Sequence, residues 1–234
     1  MFFHRPSNRF AVNTDIILQN LPRYSVMLGG KPHRRNAGKD LSTFRCKSIT
    51  ARTPLKQFKT FIAFDTETTG ISLHDDVIEA AAVRFDQFVP TLVFSVLIRP
   101  RKPIPPEASA VNHITNAMVS NAPLFHELIP SFDFVFGDFP LVAHNAEFDV
   151  KMMYVNGYDA MREKKVYDTL AISRKLCPAL ANHKLQTVCA AHGIENGSAH
   201  RAASDALACG MVFVQFLMRQ YQCRDTNELS ARIQ

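Results

Sequence analysis

The amino-acid sequence predicts one α/β domain with a mixed sheet, because strand-like apolar runs come first and strands that alternate with helices follow. Short apolar runs separated by turn residues come first, and they predict three strands at residues 61–64, 77–85 and 92–98. Their close spacing favours an antiparallel meander. Beyond Pro123, two further strands alternate with helices, at residues 141–143 and 166–167. A meander followed by alternating strand and helix favours a mixed sheet flanked by helices.

Helical periodicity and capping residues predict the helices of the second half. Asp168 is a suitable N-cap, and Gly193 is a suitable C-terminal stop. The predicted helices occupy residues 124–136, 148–155, 168–176, 183–192 and 202–220. The last of these carries an apolar face at helical spacing, so we expect it to pack on the sheet.

Composition limits the possible classes of protein. The chain has 234 residues and 47% of them are apolar, which is enough for a sizeable core. Five scattered cysteines without a CxxC pair argue against a disulfide framework or a structural zinc site and fit a reducing, cytoplasmic compartment. No uninterrupted apolar run reaches the roughly 18–20 residues that cross a bilayer, so we expect no membrane partner.

Positive charge is concentrated at the N-terminus. Residues 1–59 hold 12 Lys and Arg against two acids, a net charge of +10, whereas residues 60–234 carry −4. We divide the chain into a basic, loosely ordered extension (1–57), a domain (58–222) and a short polar tail (223–234). The extension is open to three interpretations: a solvated tail or a start codon assigned too far upstream, a basic arm on phosphate backbone, or a targeting peptide.

The first chemical motif is a pair of acids beside an apolar strand. Asp65 and Glu67 follow residues 61–64 and are two positions apart, so a strand places them on the same face. Two neighbouring carboxylates repel each other unless a cation lies between them. A hard cation with oxygen ligands, Mg²⁺ or Mn²⁺, fits this pair. A surface turn with two solvated acids is the alternative.

Two later segments also place acids at the ends of elements. Asp149 lies in the segment His-Asn-Ala-Glu-Phe-Asp (144–149), where a strand passes into a helix. His200 and Asp205 lie in the segment His-Arg-Ala-Ala-Ser-Asp (200–205), at the start of the last helix. Taken singly, these acids are also typical of helix N-termini, and a lone histidine is often structural. Together with Asp65 and Glu67 they are far more specific.

These three motifs, in this order and spacing, resemble the DnaQ-like DEDDh family of 3′→5′ exonucleases. That family includes the proofreading subunit of bacterial replicative DNA polymerase, DNA polymerase III epsilon, and ribonuclease T. The resemblance spans about residues 58–221. It implies a ribonuclease H-like fold, α/β with a mixed five-stranded sheet flanked by helices. It also implies hydrolysis of phosphodiester bonds at 3′ ends, with release of nucleoside 5′-monophosphates.

The resemblance implies roles for individual residues. Asp65, Glu67, Asp149 and Asp205 would hold two Mg²⁺ or Mn²⁺ ions, and His200 would be the general base. Other residues would line the terminal nucleotide or pack near it, namely Thr66, Thr68, Asn145, Phe148 and Ile71. Asp168 would be a helix cap first and a support for the site second. Asn112 departs from the family pattern, in which a histidine is frequent, and this puts the role of its loop in doubt.

The motifs leave the substrate and the setting open. DNA is the favoured substrate, as single-stranded or frayed 3′ ends, with a DNA polymerase as a possible partner. An exoribonuclease that trims RNA 3′ ends has the same motifs, because discrimination depends on contacts to the 2′-hydroxyl. A catalytically idle, polymerase-associated binding module and an unrelated Mg²⁺ phosphatase are the remaining alternatives.

Overall fold

The structure is a computed structural model that describes residues 12–32, 41–42, 44–50 and 52–233. A five-stranded mixed sheet forms its centre. The described strands are β1 (Val12–Asn13), β2 (Thr60–Thr68), β3 (Val77–Asp86), β4 (Val89–Leu97), β5 (Leu141–Ala143), β6 (Val166–Asp168) and β7 (Ile194–Glu195). Strands β1 and β7 form a short pair outside the main sheet. The sheet order is β4-β3-β2-β5-β6. Strands β2 to β4 are antiparallel, and β5 and β6 run parallel to β2. The predicted mixed five-stranded α/β fold is confirmed.

Helices cover both faces of this sheet. Those of the described chain are α1 (Thr14–Asn20), α2 (Pro106–Asn112), α3 (Asn116–Val119), α4 (Ile129–Phe136), α5 (Ala146–Val155), α6 (Thr169–Leu176), α7 (Leu185–Ala191), α8 (Ala202–Gln220) and α9 (Thr226–Ala231). The helix predicted at 124–136 is divided into a 3₁₀ turn, Phe125–Leu128, and α4. Pro130 explains the division, because proline lacks an N–H and is tolerated in the first turn of a helix.

Strand β2 is buried on both faces, and its side chains point alternately to one face and the other. They therefore contribute to two separate core clusters. Phe61 and Ala63 point toward the face covered by α8, where they join a cluster that contains Phe213. Ile62 and Phe64 point to the opposite face and pack with residues of α4 and α5. The strand continues to Thr68, four residues beyond the predicted end. Residues 65 and 67 therefore lie inside the strand, on the α8 face.

Helix α8 lies unusually close to the sheet at Gly210. A Cβ atom at this position would come within 2.2 Å of Cε2 of Phe85 and 2.9 Å of Cβ of Ala63. Phe85 is fully buried and stacks on Phe61 with centroids 4.8 Å apart, so it has little room to move. By length and composition α8 could span a bilayer, but 78% of that apolar stretch is buried inside the domain. It is the central core helix.

The described parts of the N-terminal segment pack on the domain, whereas the sequence predicts a loosely ordered extension. Strand β1 pairs in parallel with β7. The backbone of residues 22–24 bonds to Val93 on β4, and the backbone of Lys47 bonds to both Val166 and Asp168 on β6. The segment thus covers both edges of the main sheet and satisfies donors and acceptors that an open edge leaves unpaired.

At the other end, the predicted polar tail carries α9, whose Leu229 is buried in the core. The three segment boundaries themselves stay a prediction. Residues 33–35, a basic cluster within the predicted extension, lie outside the described residues. All five cysteines are free, and Cys189 and Cys209 are buried.

The close approach at Gly210 generates a prediction about stability. We expect Gly210→Ala to lower the free energy of unfolding by about 1–3 kcal/mol, because the added methyl group overpacks a core that cannot shift. This loss should occur although alanine favours helix formation over glycine. Chemical denaturation measures the change. Gln215→Ala, half-buried on the same helix, is the control and should have little effect. A Gly210→Ala protein as stable as the wild type would contradict the packing argument.

Candidate active site

Three carboxylates meet at the end of β2, two of them from β2 itself and the third from far along the chain. Ligand oxygens of Asp65, Glu67 and Asp205 all lie within 4.8 Å of one another. The alternation of β2 explains the meeting, because residues 65 and 67 face the side covered by α8, and α8 carries Asp205 in its first turn. The predicted association of the first and third motifs is therefore a consequence of the fold.

Asp149 reaches the same region from the opposite face of β2. Its Oδ1 accepts hydrogen bonds from the backbone N–H of Thr66 at 3.0 Å and from the Thr66 hydroxyl at 2.7 Å. Thr66 points away from α8, toward α5, which carries Asp149. Thr66 was predicted to line the terminal nucleotide, and it lines the groove of Thr68 and Phe148 described below; its hydroxyl also positions an acid.

Burial and like charge raise the pKa values of all four acids. Burial is the largest cause for Asp65, followed by the charges of Asp149, Asp205 and Glu67, and its pKa lies well above the ordinary value. Burial and the charges of Asp205 and Glu79 raise the pKa of Glu67 to about 8. Burial raises the pKa of Asp149 to about 7, against the opposing hydrogen bonds from Thr66. The pKa of Asp205 is also raised, again chiefly by burial. A nearby cation would reverse these shifts.

The segment before α8 holds Asp205 by both carboxylate oxygens. The side-chain amide of Asn196 donates to Oδ1, and the backbone N–H of His200 donates to Oδ2 at 3.0 Å. His200 has a left-handed backbone with φ of 64°, which turns the loop tightly enough for this bond. The His200 side chain is exposed and lines the same cleft as Asp65 and Asp205.

A fifth acid, Glu79, fixes the start of α8. Glu79 lies on β3 directly opposite Glu67 and is 2% exposed. Its carboxylate accepts from the Arg201 guanidinium at 2.8 and 3.1 Å and from the backbone N–H of Ala202 at 3.1 Å. A buried charge needs such partners. Glu79 thereby caps α8 from another element and holds the helix that carries Asp205.

A cleft of about 900 Å³ opens on one side of the acids. Asp65, Asp205 and His200 line its inner end, and Arg174 and Lys184 bring positive charge to its wall. Asn145 also lines this cleft and is exposed. Its contact with the terminal nucleotide stays a prediction.

A second groove, of about 530 Å³, opens on the other side of β2 and α5. Thr68, Ile71 and Phe148 line it together, as their predicted neighbourhood requires, and Ile71 is 91% exposed. Asn112, the departure from the family pattern, also lines this groove. Its amide donates to the Thr68 carbonyl at 3.3 Å and its oxygen accepts from the Ile114 N–H, so the loop stays attached to β2.

Two further residues of the motifs have structural contacts. Asp168 accepts from the N–H of Leu170 at 2.9 Å and of Asn145 at 3.0 Å, so it caps α6 and also supports the 144–149 segment. His144 lies between the Thr169 hydroxyl and the His183 carbonyl, at 2.9 and 2.8 Å. Burial lowers the pKa of His144, which favours a neutral ring that holds β5, α6 and the 183 loop together.

Sequence reasoning missed Glu79 and Asn196. A signal for Glu79 was present, because a single acid stands in the apolar run Val77–Val83 and demands a buried partner. Asn196 gave no comparable signal, because it lies in an ordinary Asn-Gly-Ser loop. Only its position beside Asp205 marks it.

Comparison with known proteins agrees with this geometry. The family RNase_T, described as exonuclease, matches residues 62–213. DNA polymerase III subunit epsilon of Treponema pallidum is 39% identical over 165 residues, which are 67% of this chain and 76% of that protein. DNA polymerase III PolC-type of Bacillus cereus is 37% identical over 163 residues, 68% of this chain but only 11% of that much longer protein.

Solved structures share the fold. Exonuclease X in complex with 5′ overhanging duplex DNA superposes with a TM-score of 0.59 and 23% sequence identity, over 74% of this chain and 99% of that one. At this identity the likeness concerns the fold.

The raised pKa values generate a prediction about pH. In the unfolded chain carboxyl groups release their protons near pH 4, whereas folding raises the pKa of Glu67 to about 8. Between these limits the folded, metal-free protein binds more protons than the unfolded chain, so the free energy of unfolding must fall as pH rises. We expect the Tm in EDTA to fall from pH 5 to pH 8, and saturating Mg²⁺ to reduce this fall.

Differential scanning fluorimetry across this range measures both effects. Glu67→Gln should flatten the profile in EDTA, because it removes one of the carboxyl groups that must ionise. Asp138→Asn, at an exposed position outside the site, should keep the wild-type slope. A metal-free Tm that rises from pH 5 to pH 8 would contradict the prediction.

Proposed function

The chain belongs to the exonuclease family RNase_T and is a 3′→5′ exonuclease of the DnaQ type, and from this premise we propose that it removes nucleotides from the 3′ ends of DNA with the help of divalent cations. One observation carries the proposal: Asp65, Glu67 and Asp205 converge within 4.8 Å, although Asp205 is far from the other two in sequence. Carboxylates with raised pKa values in a cleft are typical of functional sites.

The donor set fits hard divalent cations. Asp65, Glu67 and Asp205 offer carboxylate oxygens, and Asp149 adds a fourth acid beside them, which suits Mg²⁺ or Mn²⁺ rather than a softer metal. These four residues would hold two cations per site. When bound, such cations offset the charge of the acids, stabilise charge on a phosphate and lower the pKa of water.

His200 is the proposed general base. Its exposed side chain lines the cleft with Asp65 and Asp205, so its imidazole has access to water at the site. The backbone N–H of His200 donates to the carboxylate of Asp205, which fixes the histidine relative to a proposed metal-binding acid. The imidazole accepts a proton from the attacking water while the water oxygen forms a bond to phosphorus. The bond from phosphorus to the 3′-oxygen breaks, and this oxygen takes up a proton from solvent. The products are a nucleoside 5′-monophosphate and a new 3′-hydroxyl end.

The two grooves give the substrate a path. The terminal nucleotide fits the groove of about 530 Å³, where Ile71 and Phe148 offer apolar contacts to a base and Thr68 offers a polar one. The larger cleft carries Arg174 and Lys184, whose charges attract backbone phosphates. In this arrangement the scissile phosphate lies between the grooves, at the acids.

DNA is the proposed substrate because of what the relatives are called. The Treponema pallidum relative is a subunit of a DNA polymerase, and exonuclease X is bound to DNA in its structure. By the same reasoning a DNA polymerase is a proposed partner and single-stranded or frayed 3′ ends are the proposed target. The cytoplasm is the proposed compartment because the cysteines show no disulfide framework. Trimming of RNA 3′ ends is the alternative, which the following experiment decides.

We expect the full-length protein to release mononucleotides from a 5′-labelled DNA single strand in Mg²⁺, and more slowly from the RNA of the same sequence. Asp65→Asn should lower the rate by roughly 1,000-fold, since a metal-binding charge is lost without a change of shape. Gel electrophoresis of timed samples measures the rate. Asp138→Asn is the matched control. Near-normal activity of Asp65→Asn would overturn the site, and faster cleavage of RNA would overturn DNA as the substrate.

The base is tested separately. We expect His200→Asn to lower kcat by about 100-fold, because a positioned general base contributes about that much or more, while Mn²⁺ affinity stays unchanged. Asparagine tolerates the left-handed backbone at this position, so the loop should keep its shape. His113→Asn is the matched control, since His113 is also exposed with φ of 59°. A pH–rate profile unchanged in His200→Asn would remove His200 as the base.

A further inference from the structure

Asp205 is oriented by a loop residue, Asn196, that lies outside the three acid motifs. The amide nitrogen of Asn196 donates to Oδ1 of Asp205. An amide can rotate by 180° about its last bond, and the rotated form would turn its oxygen toward the carboxylate, where two acceptors repel. The orientation of Asn196 therefore decides whether Asp205 is held in place or pushed away.

Two hydroxyl groups fix that orientation. Ser204 Oγ lies 2.6 Å from Oδ1 of Asn196 and donates to it. Ser204 has one hydroxyl proton, so the Thr14 hydroxyl is the donor in its 2.9 Å contact with Ser204 Oγ. The same hydroxyl also lies 3.5 Å from Oδ1 of Asn196, a longer contact than the one with Ser204. The direction of donation runs from Thr14 to Ser204 to the Asn196 oxygen, which leaves the Asn196 nitrogen for Asp205. Thr14 and Ser204 are 0% and 1% exposed, so water does not compete for these bonds.

Donation from Thr14 also keeps the Ser204 hydroxyl from turning to a second acceptor, the Asp15 carboxylate. Oδ1 of Asp15 lies 3.4 Å from Ser204 Oγ, farther than Asn196 but charged. Without the donation from Thr14, the Ser204 proton is free to turn toward this carboxylate, and Asn196 then loses the contact that sets its amide.

Thr14 stands in an N-terminal segment that docks beside the site. Strand β1 pairs with β7, directly before Asn196, and the Asp15 carboxylate accepts from Ser198 at 3.0 Å. Ile17, Leu18 and Leu21 pack against the core cluster that includes α8. This segment precedes the residues that match the exonuclease family, which begin at 62. The contacts are therefore an addition to the matched domain.

We propose that the N-terminal segment is a working part of the metal site, in which Thr14 is a positioning residue that orients Asp205 through Ser204 and Asn196. The proposal rests on the proposed function insofar as Asp205 is a metal ligand. The segment then tunes cation affinity without touching cation or substrate.

The test uses full-length protein and Mn²⁺ alone as the probe. Thr14→Val removes the hydroxyl and keeps the shape, and we expect it to raise the Kd for Mn²⁺ by about fivefold, the effect of one hydrogen bond. Thr14→Ser restores the hydroxyl and should bind as the wild type does. Ile17→Ala loosens the packing of α1 but leaves the hydroxyls in place, so it should lower the Tm without changing the Kd. Electron paramagnetic resonance of free Mn²⁺ measures the Kd, and scanning fluorimetry measures the Tm.

The outcomes separate this inference from the proposed function. An unchanged Kd in Thr14→Val, or an equal rise in Ile17→Ala, overturns the positioning role while leaving an active nuclease untouched. A wild type that binds Mn²⁺ but releases no nucleotides overturns the proposed function. In that case, a raised Kd for Mn²⁺ in Thr14→Val would still support the inference. Should Thr14→Val fail to fold, Ser204→Ala interrupts the same path, and an unchanged Kd in that variant also overturns the proposal.

Discussion

Four carboxylates of like charge lie together, partly or fully buried, and hydrogen-bond donors of the surrounding structure offset their repulsion. Burial and mutual repulsion raise their pKa values, as for Asp65 and Glu67. Hydrogen bonds hold the others: Thr66 donates to Asp149, while Asn196 and the His200 backbone donate to Asp205. The arrangement is costly for stability alone, which is why a divalent cation is the natural counterpart of this cluster.

The alternation of one strand links the fold to this chemistry. Strand β2 is covered on both faces, so consecutive residues face different helices. Asp65 and Glu67 meet Asp205 on the α8 side, while Thr66 meets Asp149 on the α5 side. A shift of the strand by one residue would exchange the two sets and abolish the site. Gly210 and the contact of Glu79 with the start of α8 set the distance and the beginning of that helix.

The N-terminal segment changes the picture of a nuclease domain with a basic tail. Its described residues cover both edges of the sheet and reach the site through Thr14. Positive charge near the acids belongs to the domain itself: Arg201 acts on Glu67, and Arg174 and Lys184 line the cleft wall. Electrostatic attraction of a nucleic acid therefore has a source beside the site, independent of residues 33–35.

The sequence by itself determined the α/β class and the order of the strands along the chain, and the resemblance of its motifs to a family indicated the main acids. The first two depend on local signals, apolar runs and capping residues, and the resemblance depends on motif order and on the spacing of five positions between His200 and Asp205. Only the tertiary structure decided which residues support the acids. Glu79 meets Arg201, and Thr14 meets Ser204, across separations of 122 and 190 residues. Asn145 and Phe148, close in sequence, line different pockets. The reason is physical: periodicity tells which face of an element a side chain takes, whereas the partner on that face depends on how distant elements pack.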